Sequence, residues 1–206
     1  MPRPKGARSA AYDERRRLLL GRISQRLMQR GSTRPSLRQL AEAAEVTVPT
    51  LRHYFGTRPE IIRAVFQAYR EFGEPHLQRE SRPTGPLRKS VRDYLTSLAG
   101  ALMERGVGEI FAVGLLEGLL DDELGPESLT CIIDPSVDAL AARLGEHQAR
   151  GEMIDAHARN AALILIGPVL LACQHQKQLF GAQDHPLDLG RLIDDVTEAF
   201  VRAYGR

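Results

Sequence analysis

Tryptophan is absent from this 206-residue sequence, and aromatic residues of all kinds make up 5% of it. Cysteine is as scarce. Cys131 and Cys173 stand far apart, with no CxxC pair and no Cys/His spacing suited to a zinc ligand set. That excludes a disulfide framework and a zinc module, and leaves two small buried hydrophobes in a reducing compartment as the expectation. Long apolar runs are also missing. The most apolar stretch, AALILIGPVLLAC at 161–173, is about a dozen residues where a membrane span needs about 20. The opening MPRPKGARSAAYDERRR has no apolar signal-peptide segment. The expectation is a soluble cytoplasmic chain with no membrane partner. Alternating strand-like runs bounded by turn signals are lacking too, so a sheet is not expected.

What is present is ordinary globular material, 43% hydrophobic and 26% charged, enough for a sizeable core. The total charge of +2 hides an asymmetry: residues 1–66 hold 14 Lys/Arg against 5 acidic residues, a net +9, and the remainder carries −7. A cationic end on an acidic body attracts a polyanion at one end only, with nucleic acid the leading candidate and a solvated basic face the plainer alternative.

Between Gly and Pro breakers, nearly every segment repeats its apolar residues at three- and four-residue intervals. This predicts an all-α chain of about nine helices. The first runs over about 12–30, with Leu19, Leu20, Ile23 and Leu27 on one face, arginines on the other, and Gly31 as its stop. Ser36 caps a second, with Leu37, Leu40 and Ala41 inward, and Thr47 caps a third containing Leu51 and Tyr54. Thr57 caps a long fourth whose stripe of Ile61, Ile62, Val65, Phe66, Tyr69 and Phe72 fades near Pro75. Helices at about 87–104, 107–120, 127–149, 155–179 and 187–204 follow.

The second and third helices, joined by a tight turn and backed by a longer first helix, form a helix-turn-helix pattern, in which the second helix of the pair enters the major groove of DNA. Pro49 is tolerable in the first turn after the Thr47 cap and sets that helix's starting angle. Val48, Pro49, Arg52 and His53 fall outward. Arg52 suits either a bidentate bond to guanine or a phosphate, and Val48 and Pro49 suit a thymine methyl. The Tyr54 hydroxyl can reach a phosphate, as can Ser36 and Thr47, although capping alone explains those two. Thr57 and Arg58 open the fourth helix, where backbone N–H groups and a cation together suit one phosphate. Arg3, Lys5 and Arg8 either enter a minor groove or form a solvated arm.

The stretch PSLRQLAEAAEVTVPTLRHYFGTRPEII resembles the DNA-binding signature of the TetR family of bacterial transcriptional regulators. Leu40, Ala41, Ala44, Val46, Thr47, Thr50, Leu51, Tyr54 and Phe55 match the pattern. Three positions depart from it: Glu45 stands for a frequent turn glycine, Pro49 for another glycine, and Arg52 for the usual tyrosine. The resemblance implies a DNA-binding domain at 1–56 and a regulatory, ligand-binding and dimerisation domain at 57–206. It further implies a homodimer on an inverted-repeat double-stranded DNA operator, acting as a repressor and released by a small-molecule effector of largely apolar character.

For the body, the apolar circumference of 161–171 requires cover on all sides, from a second chain or from a central place in a monomer; with the stripe of the last helix it resembles the family's four-helix dimer interface, which makes the last two long helices the expected dimer contact. Candidate pocket walls are Phe66, Tyr69, Leu98, Phe111, Leu115, Val169 and Cys173, with His76, Gln174 and His175 as polar contacts. No paired carboxylates, nucleophilic triad or metal spacing stands out, and His147, His157, His175 and His185 are scattered as surface histidines usually are. No cofactor and no enzymatic activity are expected. The rival readings are an all-helical enzyme or small-molecule carrier with an incidental basic end, and a non-specific DNA-binding protein.

Overall fold

The computed structural model describes residues 10–29 and 34–206. It is all-helical, and among the described residues the only extended pairing is an isolated bridge between Met153 and Gly205. The chain divides into two compact units, residues 1–67 and 68–206, and the division falls inside a helix.

The first unit contains α1 (Ala10–Met28), α2 (Leu37–Ala43), α3 (Val48–Phe55) and the first part of α4 (Arg58–Glu80). Its core holds the apolar face expected of α1, Leu19, Leu20, Ile23 and Leu27, together with Leu40, Ala41, Leu51, Ile61, Ile62, Val65 and Phe66. Ala44 and Phe55 join it, while Leu37, Val46 and Tyr54 are half-buried. Gly31, the expected stop of α1, lies outside the described residues, as do Arg3, Lys5, Arg8 and Arg30.

The second unit holds the rest of α4, then α5 (Leu87–Glu104), α6 (Val107–Leu120), α7 (Leu124–Ser128), a π-helical turn (Leu129–Ile133), α8 (Asp134–Ala149), α9 (Ala158–Lys177), the single turn α10 (Gly181–Asp184) and α11 (Leu189–Tyr204). Its core is built from Val91, Leu95 and Leu102 of α5, Leu140 and Leu144 of α8, Leu165 and Val169 of α9, and Ile193 and Phe200 of α11.

The structure corrects four expectations. α4 does not fade at Pro75 but runs to Glu80. The bond that Pro75 cannot make is to the carbonyl of Glu71, an exposed position where water can satisfy it. Phe72 does not continue the buried stripe, since 86% of it is exposed. His147 is not a surface residue but fully buried, with Nδ1 3.0 Å from Glu152 Oε2. The helix expected from about 127 begins earlier, at Leu124, and reaches Ala149 through the π-helical turn.

Candidate nucleic-acid interface and the cavity of the second unit

In the first unit, side-chain caps define the two short helices. Ser36 Oγ accepts the Gln39 N–H at 3.3 Å while Gln39 Oε1 accepts the Ser36 N–H at 2.8 Å, a closed capping box at the start of α2. The Thr47 hydroxyl accepts the Thr50 N–H at 3.3 Å at the start of α3. Between them, the Glu45 N–H donates to the Glu42 carbonyl at 2.9 Å and the Val46 N–H to the Ala41 carbonyl at 3.0 Å, the bond pattern of a Schellman turn. Glu45 takes the left-handed conformation (φ 56) that the resemblance assigns to glycine. Arg22 of α1 donates to the Glu45 carboxylate at 2.7 Å and to the Ala44 carbonyl at 3.2 Å, tying this strained turn to α1.

The caps set which face of α3 is buried. Leu51 and Phe55 face the core, Val48 and Tyr54 are half-buried, and Pro49, Arg52 and His53 are exposed. The Arg52 guanidinium has no hydrogen bond or ion pair among the described residues. The Tyr54 ring stacks on Tyr12 of α1 at 4.8 Å, His53 stands edge-on to both rings, and the Arg16 guanidinium lies 4.9 Å over the Phe55 ring. Sequence reasoning does not single out Tyr12 and Arg16. The available signal is their spacing, since positions 12 and 16 flank the apolar stripe that continues at Leu19, Leu20 and Ile23.

Thr57 and Arg58 are engaged within the protein. The Thr57 N–H and hydroxyl both donate to Glu60 Oε2 at 2.7 Å, and Arg58 Nε donates to the Pro35 carbonyl at 2.9 Å. The Thr57 backbone N–H, followed by its hydroxyl, holds the Glu60 carboxyl below its ordinary range. The anion seat expected at the start of α4 therefore holds the protein's own carboxylate. Gly56 makes this fit possible: its φ is 85, and a Cβ there would collide with the Glu60 carboxylate.

In the second unit, a cavity of about 330 Å³ is walled by the later part of α4, by α5, and by the π-helical turn and the start of α8. Tyr69, Leu77, Leu98, Val107, Ile132 and Pro135 supply apolar wall. Glu80, at the edge of the lining, is held from behind by Arg143 of α8. Arg143 is 1% exposed and donates to the Glu80 carbonyl at 2.6 Å, the Ser90 carbonyl at 2.8 Å and the Glu80 carboxylate at 3.1 Å. Ser97 donates to the other Glu80 oxygen at 2.8 Å. The Arg143 guanidinium also lies 5.3 Å from the Tyr94 ring centre, and the Tyr94 hydroxyl donates to the Ser136 carbonyl at 2.6 Å. Burial pushes the Tyr69 hydroxyl up to about 12 and the Cys173 thiol up to about 11, and it raises the Cys131 thiol, so these groups stay protonated at neutral pH.

Of the candidate pocket residues, the structure brings Tyr69, Leu98 and His76 to this cavity. Phe66 is buried in the core of the first unit, and Val169 and Cys173 pack in the central core of the second with Leu95. Phe111 is buried on α6, outside the cavity lining, and Leu115 is exposed. Gln174 donates to the Gly108 carbonyl at 3.2 Å, and His175 is bonded to Gln176. Among the described residues no group of three or more His, Cys, Asp or Glu is placed to hold a metal ion, and no helix is long and apolar enough to cross a membrane.

No protein-family model matches the sequence, and no curated protein matches it. Solved structures do match. A Mesorhizobium loti protein assigned to the TetR family of transcriptional regulators superposes with a TM-score of 0.74 at 15% identity, covering 96% of this chain and 100% of that one. The regulator FadR from Bacillus subtilis, in complex with stearoyl-CoA, gives 0.69 at 17% identity over 90% and 97%. SmeT, the repressor of the Stenotrophomonas maltophilia multidrug efflux pump SmeDEF, gives 0.63 at 18% over 93% and 90%. The chain has the all-helical fold of these TetR-family regulators.

Proposed function

We propose that this chain, with the fold of TetR-family regulators as its premise, is a homodimeric repressor that binds an inverted-repeat operator and is released by a small, largely apolar ligand. The observation that carries the reading is the exposed Pro49, Arg52 and His53 face of α3, held by two capped helices and a turn clamped by Arg22. Arg52 reads a base edge, with Val48, Pro49 and His53 beside it. Ser36, Thr47, Tyr54, Thr57 and Arg58 serve the phosphates, and at Thr57 a phosphate has to displace the Glu60 carboxylate. Domain 1–56 reads DNA, and domain 57–206 binds the effector and pairs the subunits.

Release is supported by the course of α4. Ile61, Ile62, Val65 and Phe66 of this one helix lie in the core of the first unit, and Tyr69 and Leu77 wall the cavity of the second. A ligand that favours one placement of the later part of α4 biases the helix that also begins beside α3. The stearoyl-CoA complex of FadR and the repressor role of SmeT support carrying effector binding and repression to this chain. Pairing is supported by the outward stripe of α9, where Leu163, Ile164 and Leu171 are 48%, 53% and 69% exposed with Gly167 and Pro168 exposed between them.

Selection from a randomised DNA pool at fixed salt tests the reading. The expected product is an inverted repeat with half-sites about 10 base pairs apart. Arg52→Ala should then cost about 1–3 kcal/mol on the selected site and relax preference at one position of each half-site. Equal affinity for selected and scrambled fragments would show phosphate-only binding, and no DNA binding at all would favour the carrier reading.

A further inference from the structure

The cavity in the second unit is apolar along its walls but not neutral at its edge. Two pairs there are already matched: Arg143 with Glu80, and Arg70 with Glu74. Two further arginines that line it, Arg79 and Arg105, have no carboxylate partner among the described residues, and Arg105 donates only to the Ser97 carbonyl at 2.8 Å. Tyr69 and Ser136 also line the cavity, and neither side-chain hydroxyl has a hydrogen-bond partner among the described residues. Unmatched cations and free hydroxyl donors therefore border an apolar space. The one carboxylate in the lining, Glu80, is neutralised by Arg143, bonded by Ser97, and 3.7 Å from His76 Nε2.

We infer that the effector cavity takes an organic anion with a compact apolar body, a monocarboxylate being the simplest case, whose head group is met by Arg79 and Arg105 and whose body lies against Tyr69, Leu98 and Ile132. The inference rests on the proposal that this cavity is the effector site. Charge sign and size follow from the lining. A cationic ligand would face two unmatched guanidiniums without a free carboxylate, and a volume of about 330 Å³ is at the small end of ligand pockets, roughly 300–1,000 Å³. A carboxylate here gains charge-assisted bonds from guanidiniums that have no other carboxylate to meet.

Three probes with the same tail and different heads test this on the full chain: octanoate, octanol and octylammonium, with binding measured by calorimetry at fixed salt and neutral pH. Octanoate is expected to bind tightest and octylammonium weakest. Arg105→Gln and Arg79→Gln should each weaken octanoate by roughly fivefold and leave octanol unchanged. The unchanged octanol arm separates a lost head-group contact from a damaged fold. Octylammonium binding as tightly as octanoate, or octanoate affinity insensitive to both substitutions, overturns the inference. Operator binding measured with and without octanoate keeps the two proposals apart. Octanoate that binds with the expected ranking but leaves DNA affinity unchanged removes the release mechanism and leaves the ligand class standing, whereas release by octylammonium without octanoate binding does the reverse.

Discussion

Glu45 adopts a left-handed conformation at φ 56, which costs a residue with a Cβ about 1–2 kcal/mol. Its exposed pair with Arg22 offsets about 0–1 kcal/mol of that. Glu45→Gly removes the strain and the pair together, whereas Glu45→Ala removes only the pair. The glycine variant should therefore be at least as stable as the parent and about 1 kcal/mol more stable than the alanine variant, as read from urea denaturation midpoints. An alanine variant equal to or better than glycine would show that the turn is not left-handed in solution. The turn itself is legible in the sequence, because the resemblance marks a glycine position there, but the Arg22 clamp is not: 23 residues separate Arg22 from Glu45, and only folding brings them together.

At the scale of elements, α8 carries a polar core that its residue types conceal. Leu140, Arg143, Leu144 and His147 share one buried face at helical spacing, so an inward position for Arg143 and His147 is readable from periodicity. Arginine and histidine are far more often surface residues, and that prior hides them. Arg143 ties α8 to the last turn of α4 and to α5 through three acceptors. Removing one partner of a buried pair leaves the others unsatisfied, so Arg143→Met should cost about 3 kcal/mol. Arg143→Lys should cost nearly as much, because one ammonium cannot span the three acceptors that a guanidinium fork reaches. Chemical denaturation measures both. A loss under about 1 kcal/mol for either would mean that the α4 end is held by something else.

At the scale of the whole molecule, the exposed stripe of α9 and the buried stripe of α11 call for different tests. Leu192 and Ile193 mark the apolar face of α11, but Ile193 is 4% exposed and packs in the core of its own chain. Ile193→Glu should therefore unfold the second unit whatever the oligomeric state. Leu171, 69% exposed, is the better probe: Leu171→Glu should leave the fold intact by circular dichroism, give monomers by sedimentation, and weaken operator binding. A folded, dimeric Leu171→Glu protein places the interface elsewhere. The sequence by itself determined the helical class, the apolar face of α1, the capped pair α2 and α3, and the outward position of Arg52, because these follow from local periodicity, caps and turn chemistry within a few residues. The tertiary structure decided the rest. Which apolar residues wall a cavity and which fill a core, why Phe66, Val169 and Cys173 belong to the core while Ile132 and Pro135 meet the cavity, and which arginines find a carboxylate are outcomes of contacts between distant segments. Apolar side chains look alike to a periodic pattern, and only the packing of one helix against another distinguishes a wall from a core.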